Sequence, residues 1–158
     1  MEYIQLKKGN GQKRFGIRTP DGEDTGEYIE IDIEDIELPL KASECQTKHV
    51  ENYNKLKEKL EKSKEKSNDE KGDILTEQQK EMIEAFNEFY KAEEEALDLF
   101  LGDGATRKLL GGRKPYLTMY DDINEYLEQI IPTLEISTES LKKSIEEKYK
   151  EEKEDNIL

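Results

Sequence analysis

The chain has 158 residues, of which 41% are charged and 33% hydrophobic, with no Trp and a formal net charge of −14. This length predicts one domain, and the small apolar fraction predicts a thin core. The acidic balance argues against nucleic acid or an anionic membrane as a partner, because phosphates would repel most of the surface. No apolar run has signal-peptide length or approaches the roughly 20 residues that span a bilayer, so we expect a cytoplasmic protein.

The first forty residues alternate apolar and polar side chains, as half-buried strands do. The apolar positions of the three runs are Ile4 and Leu6, then Phe15 and Ile17, then Ile29, Ile31 and Ile33. Turns are predicted at Gly9-Asn10-Gly11 and at Pro20-Asp21-Gly22. We therefore predict an α+β fold in which residues 1–40 form a three-stranded antiparallel β-meander, and Pro39 marks its exit. One face of that meander needs a helix or a partner to cover it.

Helical spacing begins at about Ala42. A narrow apolar stripe at steps of three and four comprises Val50, Tyr53, Leu56 and Leu60. Residues 55–71 are mostly Lys and Glu, whose opposite charges at helical spacings stabilise an exposed helix by about 0.2–0.5 kcal/mol per pair. We predict a charged helix and linker over residues 41–73, with the linker at Ser67–Asp73.

Thr76-Glu77-Gln78-Gln79 matches a capping box and predicts the start of a second helix. Its broad apolar stripe comprises Met82, Ile83, Phe86, Phe89, Tyr90, Leu97, Phe100 and Leu101. Gly102 and Gly104 are predicted to end this helix. A short turn of helix, Ala105–Leu110, is expected before Gly111-Gly112 breaks the chain again.

Thr118-x-x-Asp121 is a second capping signature. The wide apolar face after it comprises Met119, Ile123, Leu127, Ile130, Ile131 and Leu134, and Pro132 ends or kinks the helix. A last helix is predicted from Ser137 or Thr138, carrying Leu141, Ile145 and Tyr149. We thus expect a small bundle of about four helices, with a central helical unit at residues 74–136 and a charged C-terminal helix or tail at 137–158.

No pattern for catalysis, a cofactor or a metal is found, so a non-enzymatic protein without cofactors is expected. Cys45 and His49 lie four residues apart, but as the only Cys and His they supply half of a metal site. His49 also lacks a Ser or Cys with an orienting carboxylate in a catalytic pattern. Asp21–Gly26 departs from a calcium loop and lies between strands, and Gly102–Lys108 lacks the Gly-Lys-Ser/Thr of a phosphate loop.

The compact basic cluster of the chain comprises Arg107, Lys108, Arg113 and Lys114. In an acidic molecule these cations could bind the acidic tail of a second copy, which would give self-association. They could equally bind a carboxylate-bearing partner. Alternatively they stabilise the carbonyl ends of helices. The sequence leaves both interpretations open.

Four features follow one another along residues 15–134. They are Gly22-x-x-x-Gly26-Glu27 before an alternating strand, Asp35–Leu40 leading into a helix, Phe100-Leu101-Gly102-x-Gly104, and Gly111–Pro115 before an amphipathic helix. In this order the elements resemble the tail assembly chaperones of long-tailed bacteriophages and prophages of Gram-positive hosts. The resemblance implies a non-enzymatic chaperone that binds the long helical tape measure protein, keeps it soluble and helps recruit tail tube subunits.

A chaperone of an amphipathic helix needs an apolar groove between helices and a charged exterior. Nine side chains are predicted to line or support such a groove: Phe86, Phe89, Tyr90, Leu97, Phe100, Leu109, Leu110, Tyr116 and Tyr120. Replacing Phe100 and Leu109 with Asp is expected to abolish binding of the client.

The alternative function is that of an acidic regulator or DNA mimic that binds a basic protein. Lys residues are interleaved with the acids in residues 51–71, which disfavours this interpretation. Binding by a mimic should collapse by a few hundred millimolar salt, whereas binding in a hydrophobic groove should not.

Overall fold

The computed structural model describes residues 1–6, 11–68, 74–126, 139 and 142–150. Within these residues the fold is α+β, with a two-stranded antiparallel sheet followed by five helical segments. The elements are β1 (Gln12–Arg18), β2 (Asp24–Asp32), α1 (Leu38–Ser63), α2 (Glu77–Leu101), α3 (Ala105–Leu110), α4 (119–126) and α5 (142–150). None of the described helices is long and apolar enough to cross a bilayer.

The sheet is a hairpin that places one apolar face on the helices. β1 and β2 pair from Gln12 opposite Asp32 to Arg18 opposite Asp24, with a shift of register after Gly16. Ile17 of β1 is buried, as are the alternating residues Ile29 and Ile31 of β2. The predicted alternation in the second and third runs is confirmed.

The turn between the strands is also confirmed. Gly22 N donates to Thr19 O at 2.9 Å, and Gly22 has a φ of +88°, in the left-handed region that favours glycine. The hairpin is therefore closed by local chemistry that the sequence shows directly.

The third strand of the predicted meander is not shown, and this part of the prediction is corrected. Residues 1–6 form no strand, and Ile4 and Leu6 are 98% and 84% exposed. Gly9 and Asn10, of the predicted first turn, lie outside the described residues. Alternation decides which side chains share a face, but a strand also needs a paired edge and a covered face.

The first helix starts earlier than expected and buries a different face. It begins at Leu38 rather than about Ala42, because Pro39 fits the first helical turn, where its missing N–H is not needed. The predicted stripe is wrong at Val50 and Tyr53, which are exposed. The buried side runs instead through Leu38, Cys45, Leu56 and Ser63, with half-buried Ala42, His49, Asn52 and Leu60 beside them.

The second helix begins at the predicted capping box. Thr76 Oγ1 accepts from Gln79 N at 3.2 Å, and Thr76 N donates to Gln79 Oε1 at 3.0 Å. Gly102, with a φ of +107°, ends the helix as expected. Of the predicted stripe Phe89, Leu97, Phe100 and Leu101 are buried, whereas Met82 and Ile83 are exposed.

Helices α1 and α2 form an antiparallel hairpin that carries two apolar clusters. The smaller cluster joins Leu56, Ala85 and Phe89 with half-buried Leu60, Phe86 and Tyr90. The larger one joins the sheet to the first turns of α1, the last turns of α2, α3 and α4. α4 follows Thr118, where the second capping signature predicted a start, and Leu127–Leu134 and the linker residues 69–73 lie outside the described residues.

The turn from α2 to α3 is held by the carboxylate of Asp98. Its Oδ1 accepts from Thr106 N at 2.9 Å and from Thr106 Oγ1 at 2.7 Å. Its Oδ2 accepts from Gly104 N at 3.1 Å. These bonds fix the start of α3 and hence the direction in which Leu109 and Leu110 project.

Replacing Asp98 with Ala is expected to lower the free energy of unfolding by about 2–3 kcal/mol, because three donors lose a charged acceptor. Asp98→Asn keeps one side-chain oxygen that can accept from Thr106, so its free energy of unfolding should fall less than that of Asp98→Ala. Urea unfolding followed by circular dichroism measures both changes. Equal stability of the Ala variant and the parent would contradict this role for Asp98.

Candidate functional site

An apolar groove of about 840 Å³ lies between the hairpin and the α3–α4 region and opens to solvent. The hairpin contributes Phe15, Ile17 and Ile29, and the helices and their connections contribute Leu101, Leu109, Leu110, Tyr116, Met119, Ile123 and Tyr126. The predicted site residues Leu109, Leu110 and Tyr116 are therefore brought together here. The other apolar lining residues were not among the predicted site residues.

Local chemistry positions the helical side of the groove. α3 has only six residues between Gly104 and Gly111, whose φ angles of +77° and +57° let the chain turn sharply at both ends. The Tyr116 hydroxyl donates to Asp122 Oδ2 at 2.6 Å and so ties the segment before α4 to that helix. The same hydrogen bond, with burial, raises the pKa of Tyr116.

The opposite wall of the groove is the edge of β1. Every residue from Arg14 to Pro20 lines it, whereas β2 contributes only Asp24 and Ile29. Side chains of a strand alternate between its two faces. Consecutive lining residues therefore mean that backbone as well as side chains of β1 borders the groove.

The rim of the groove carries charges of both signs. Arg14, Arg18 and Arg113 stand beside Asp24, Asp122 and Glu125. Arg14 Nε bonds to Glu30 Oε1 at 2.7 Å, and Arg113 Nε donates to Leu110 O at 3.0 Å. A ligand would thus meet an apolar floor and a mixed, hydrogen-bonding rim.

The remaining predicted site residues lie elsewhere. Phe86, Phe89 and Tyr90 belong to the smaller cluster between α1 and α2. Leu97 and Phe100 are buried in the larger cluster beneath the groove. Tyr120 is buried as well, against α1. These six side chains pack inside the fold and do not line the groove.

The basic cluster does not form one surface. Arg107 bonds to Glu94 of α2 at 2.8 Å, and Lys108 Nζ lies 5.9 Å from the ring centre of Tyr28. Arg113 lines the groove. Arg107 and Lys108 are adjacent on a helix and so lie about 100° apart around its axis, which sends their side chains to different neighbours. Of the four cations only Arg113 lines the groove, and Lys114 is exposed.

A buried polar cluster, which the sequence did not indicate, joins α1 to α2. His49 Nδ1 lies 2.6 Å from Glu93 Oε2, and Asn52 Nδ2 donates to Glu93 Oε1 at 3.1 Å. The His49 ring stacks on Tyr120, with ring centres 3.6 Å apart and planes 4° apart. Cys45, one turn before His49, is buried. Glu93 thus gives His49 a carboxylate partner from another helix.

Two groups of this cluster, the Cys45 thiol and the Tyr120 hydroxyl, are held in their protonated forms. Burial, followed by the charge of Glu93, raises the pKa of the Cys45 thiol to about 11, and burial raises the pKa of Tyr120 to about 12. A nucleophilic cysteine needs a lowered pKa, so this thiol does not supply a thiolate at neutral pH. Among the described residues no three His, Cys, Asp or Glu side chains are grouped to hold a metal ion.

The burial of Glu93, although not its partner, could have been predicted from spacing along α2. It lies four residues after Phe89 and four before Leu97, so it stands inside the apolar face of α2. An acid at such a position must find a buried partner.

No protein-family model, no curated protein and no solved structure matches this chain.

Proposed function

We propose that the protein is a non-enzymatic assembly chaperone whose groove binds an apolar segment of a partner protein. The observation that carries this proposal is the open apolar groove of about 840 Å³ on a chain in which 41% of residues are charged. Phe15, Leu109, Tyr116, Ile123 and Tyr126 keep part of their apolar surface exposed in this groove. Exposed apolar surface grouped in a groove of so polar a molecule supports a binding role. The charged exterior keeps a complex with an apolar client in solution.

The resemblance in the order of elements makes the tape measure protein of a long-tailed phage the proposed client, with recruitment of tail tube subunits as the second step. A long helical client offers apolar anchors at steps of three and four. These anchors would pack on Leu109, Tyr116 and Ile123, which are only partly buried. Acidic and polar positions of the client would meet Arg18 and Arg113 at the rim.

Replacing Tyr126 with Asp is expected to weaken capture of the co-expressed tape measure protein at least about tenfold, because one lost apolar contact is worth about 1.5–3 kcal/mol. Tyr126 lines the groove and is 66% exposed, so the change spares the core. Phe100 is unsuitable for this test, since it is buried and its replacement by Asp would disrupt the fold.

The matched control is Val50→Asp, which places the same charge on an exposed position of α1 outside the groove. Capture is measured by quantitative pull-down, and circular dichroism reports that both variants are folded. Equal capture by the two folded variants would rule out the groove as the client site.

The salt dependence of binding separates the chaperone from an acidic regulator. Pairs such as Lys59–Glu88, Lys66–Glu81 and Arg107–Glu94 already neutralise carboxylates on the helices, which disfavours a surface of regularly spaced free acids. Capture through the groove should persist at a few hundred millimolar salt. Capture that disappears there would favour binding to a basic protein.

A further inference from the structure

The edge of β1 that borders the groove carries no neighbouring strand among the described residues. The sheet has the order β1–β2, so β2 occupies one edge of β1 only. Residues 14–18 of β1 all line the groove, so the other edge of the strand faces it. An unpaired edge offers a row of backbone donors and acceptors to any extended segment, and proteins usually cover such an edge.

The segment that precedes β1 has the alternating composition of a β-strand but is not paired with another strand. Tyr3, Ile4 and Leu6 are all exposed, although each is an apolar residue that gains by leaving water. Ile4 and Leu6 are two positions apart and would share one face of an extended segment. Five residues, 7–11, separate this segment from β1, and they include Gly9 and Gly11.

We propose that residues 1–6 of the same chain, which are exposed and form no strand in this structure, have a second state. In that state they add to the free edge of β1 as an antiparallel strand, with Ile4 and Leu6 in the groove, and a client must displace them. A connection of this length is within the range of β-hairpin loops. The tether gives the segment a far higher local concentration than a second copy reaches in solution. The regulatory half of this proposal rests on the proposed function, whereas the strand addition does not.

The chain contains no Trp, so a single introduced Trp is the sole source of Trp fluorescence. It tests the strand addition without any client. Ile4→Trp should emit at shorter wavelength than Ile74→Trp and be quenched several-fold less by acrylamide. Ile74 is the matched control, being 96% exposed and outside the groove. Ile123→Asp places a charge in the groove. Added to Ile4→Trp, it should return the emission wavelength and the acrylamide quenching to those of the Ile74→Trp control.

Equal quenching of the two Trp variants would overturn the strand addition. Protection that rises with protein concentration would overturn it in favour of exchange between copies. Hydrogen exchange supplies a second measurement without Trp. The double variant Ile4→Asp, Leu6→Asp should exchange the amides of β1 several-fold faster than the parent, with those of α2 unchanged, and unchanged β1 amides would contradict the proposal.

Capture of the tape measure protein tests the regulation. The Ile4→Asp, Leu6→Asp variant should capture several-fold more client than the parent, because the groove is no longer occupied. Protected Trp with unchanged capture would overturn the regulation. Failure of both proteins to capture the client would instead overturn the proposed function, and the Trp and exchange measurements would still decide the strand addition.

Discussion

Replacing His49 with Ala is expected to lower the free energy of unfolding by about 3–5 kcal/mol, since it breaks a buried pair and leaves one member behind. The side chain of Glu93 is only 2% exposed. Without His49 its carboxylate keeps Asn52 Nδ2 as the remaining side-chain donor, and water cannot replace the lost partner without opening the α1–α2 interface. The stacking of His49 on Tyr120 is lost in the same change.

A double variant distinguishes loss of pairing from loss of packing. His49→Leu with Glu93→Leu removes both polar groups and fills the space with apolar side chains, so it should recover most of the lost stability. Urea unfolding of the parent, the single variant and the double variant measures this recovery. A double variant as unstable as His49→Ala would show that the pair itself is not the cause.

The surface control is Arg107→Ala, which removes the pair with Glu94. Arg107 is 82% exposed, and exposed pairs contribute about 0–1 kcal/mol. Its unfolding curve should therefore lie close to that of the parent. The contrast between the two pairs follows from burial, because the distances of 2.6 Å and 2.8 Å are similar.

Features set by neighbours in sequence could be predicted. The capping box at Thr76, the glycine that ends α2 and the turn at Gly22 each depend on a few adjacent residues. The alternation of Ile29 and Ile31 gave the buried face of β2 for the same reason. Local backbone chemistry determines these elements whatever the rest of the chain does.

The buried face of α1 could not be read from apolar spacing. His49 and Asn52 interrupt that face with polar groups, so the exposed residues Val50 and Tyr53 gave the more apolar pattern. The partner of the polar groups, Glu93, stands 44 residues after His49. Spacing identifies the face of one helix, but it does not show which residue of another helix meets it.

The groove was predicted between helices, and the structure puts a strand into its wall. Leu109 and Tyr116 could be chosen because they are apolar and follow glycine breaks. The alternating pattern places Phe15 and Ile17 on the covered face of a meander, so it does not predict that they line the groove. Where the hairpin packs depends on contacts between β2 and the α2–α3 region, and no local pattern encodes those contacts.

Raising the pH from 8 to 11 is expected to lower the free energy of unfolding by about 3–4 kcal/mol through Cys45 and Tyr120. Burial raises the pKa of Cys45 from 9.0 to about 11 and that of Tyr120 from 10.0 to about 12. Both folded-state pKa values lie above the unfolded ones, so the folded protein holds these protons longer. The resulting stability is complete below pH 9 and is lost as the pH rises through 11 and 12.

Cys45→Ala should remove about 2 kcal/mol of this fall, because the Cys45 thiol titrates first in the unfolded chain. Tyr116, whose pKa is also raised, adds a contribution of the same sign in both proteins. Val50→Ala, at an exposed position that carries no titratable group, is the control and should leave the slope unaltered. Urea unfolding at each pH gives the slopes. Parallel curves for the parent and Cys45→Ala would mean that the thiol is not held protonated by the fold.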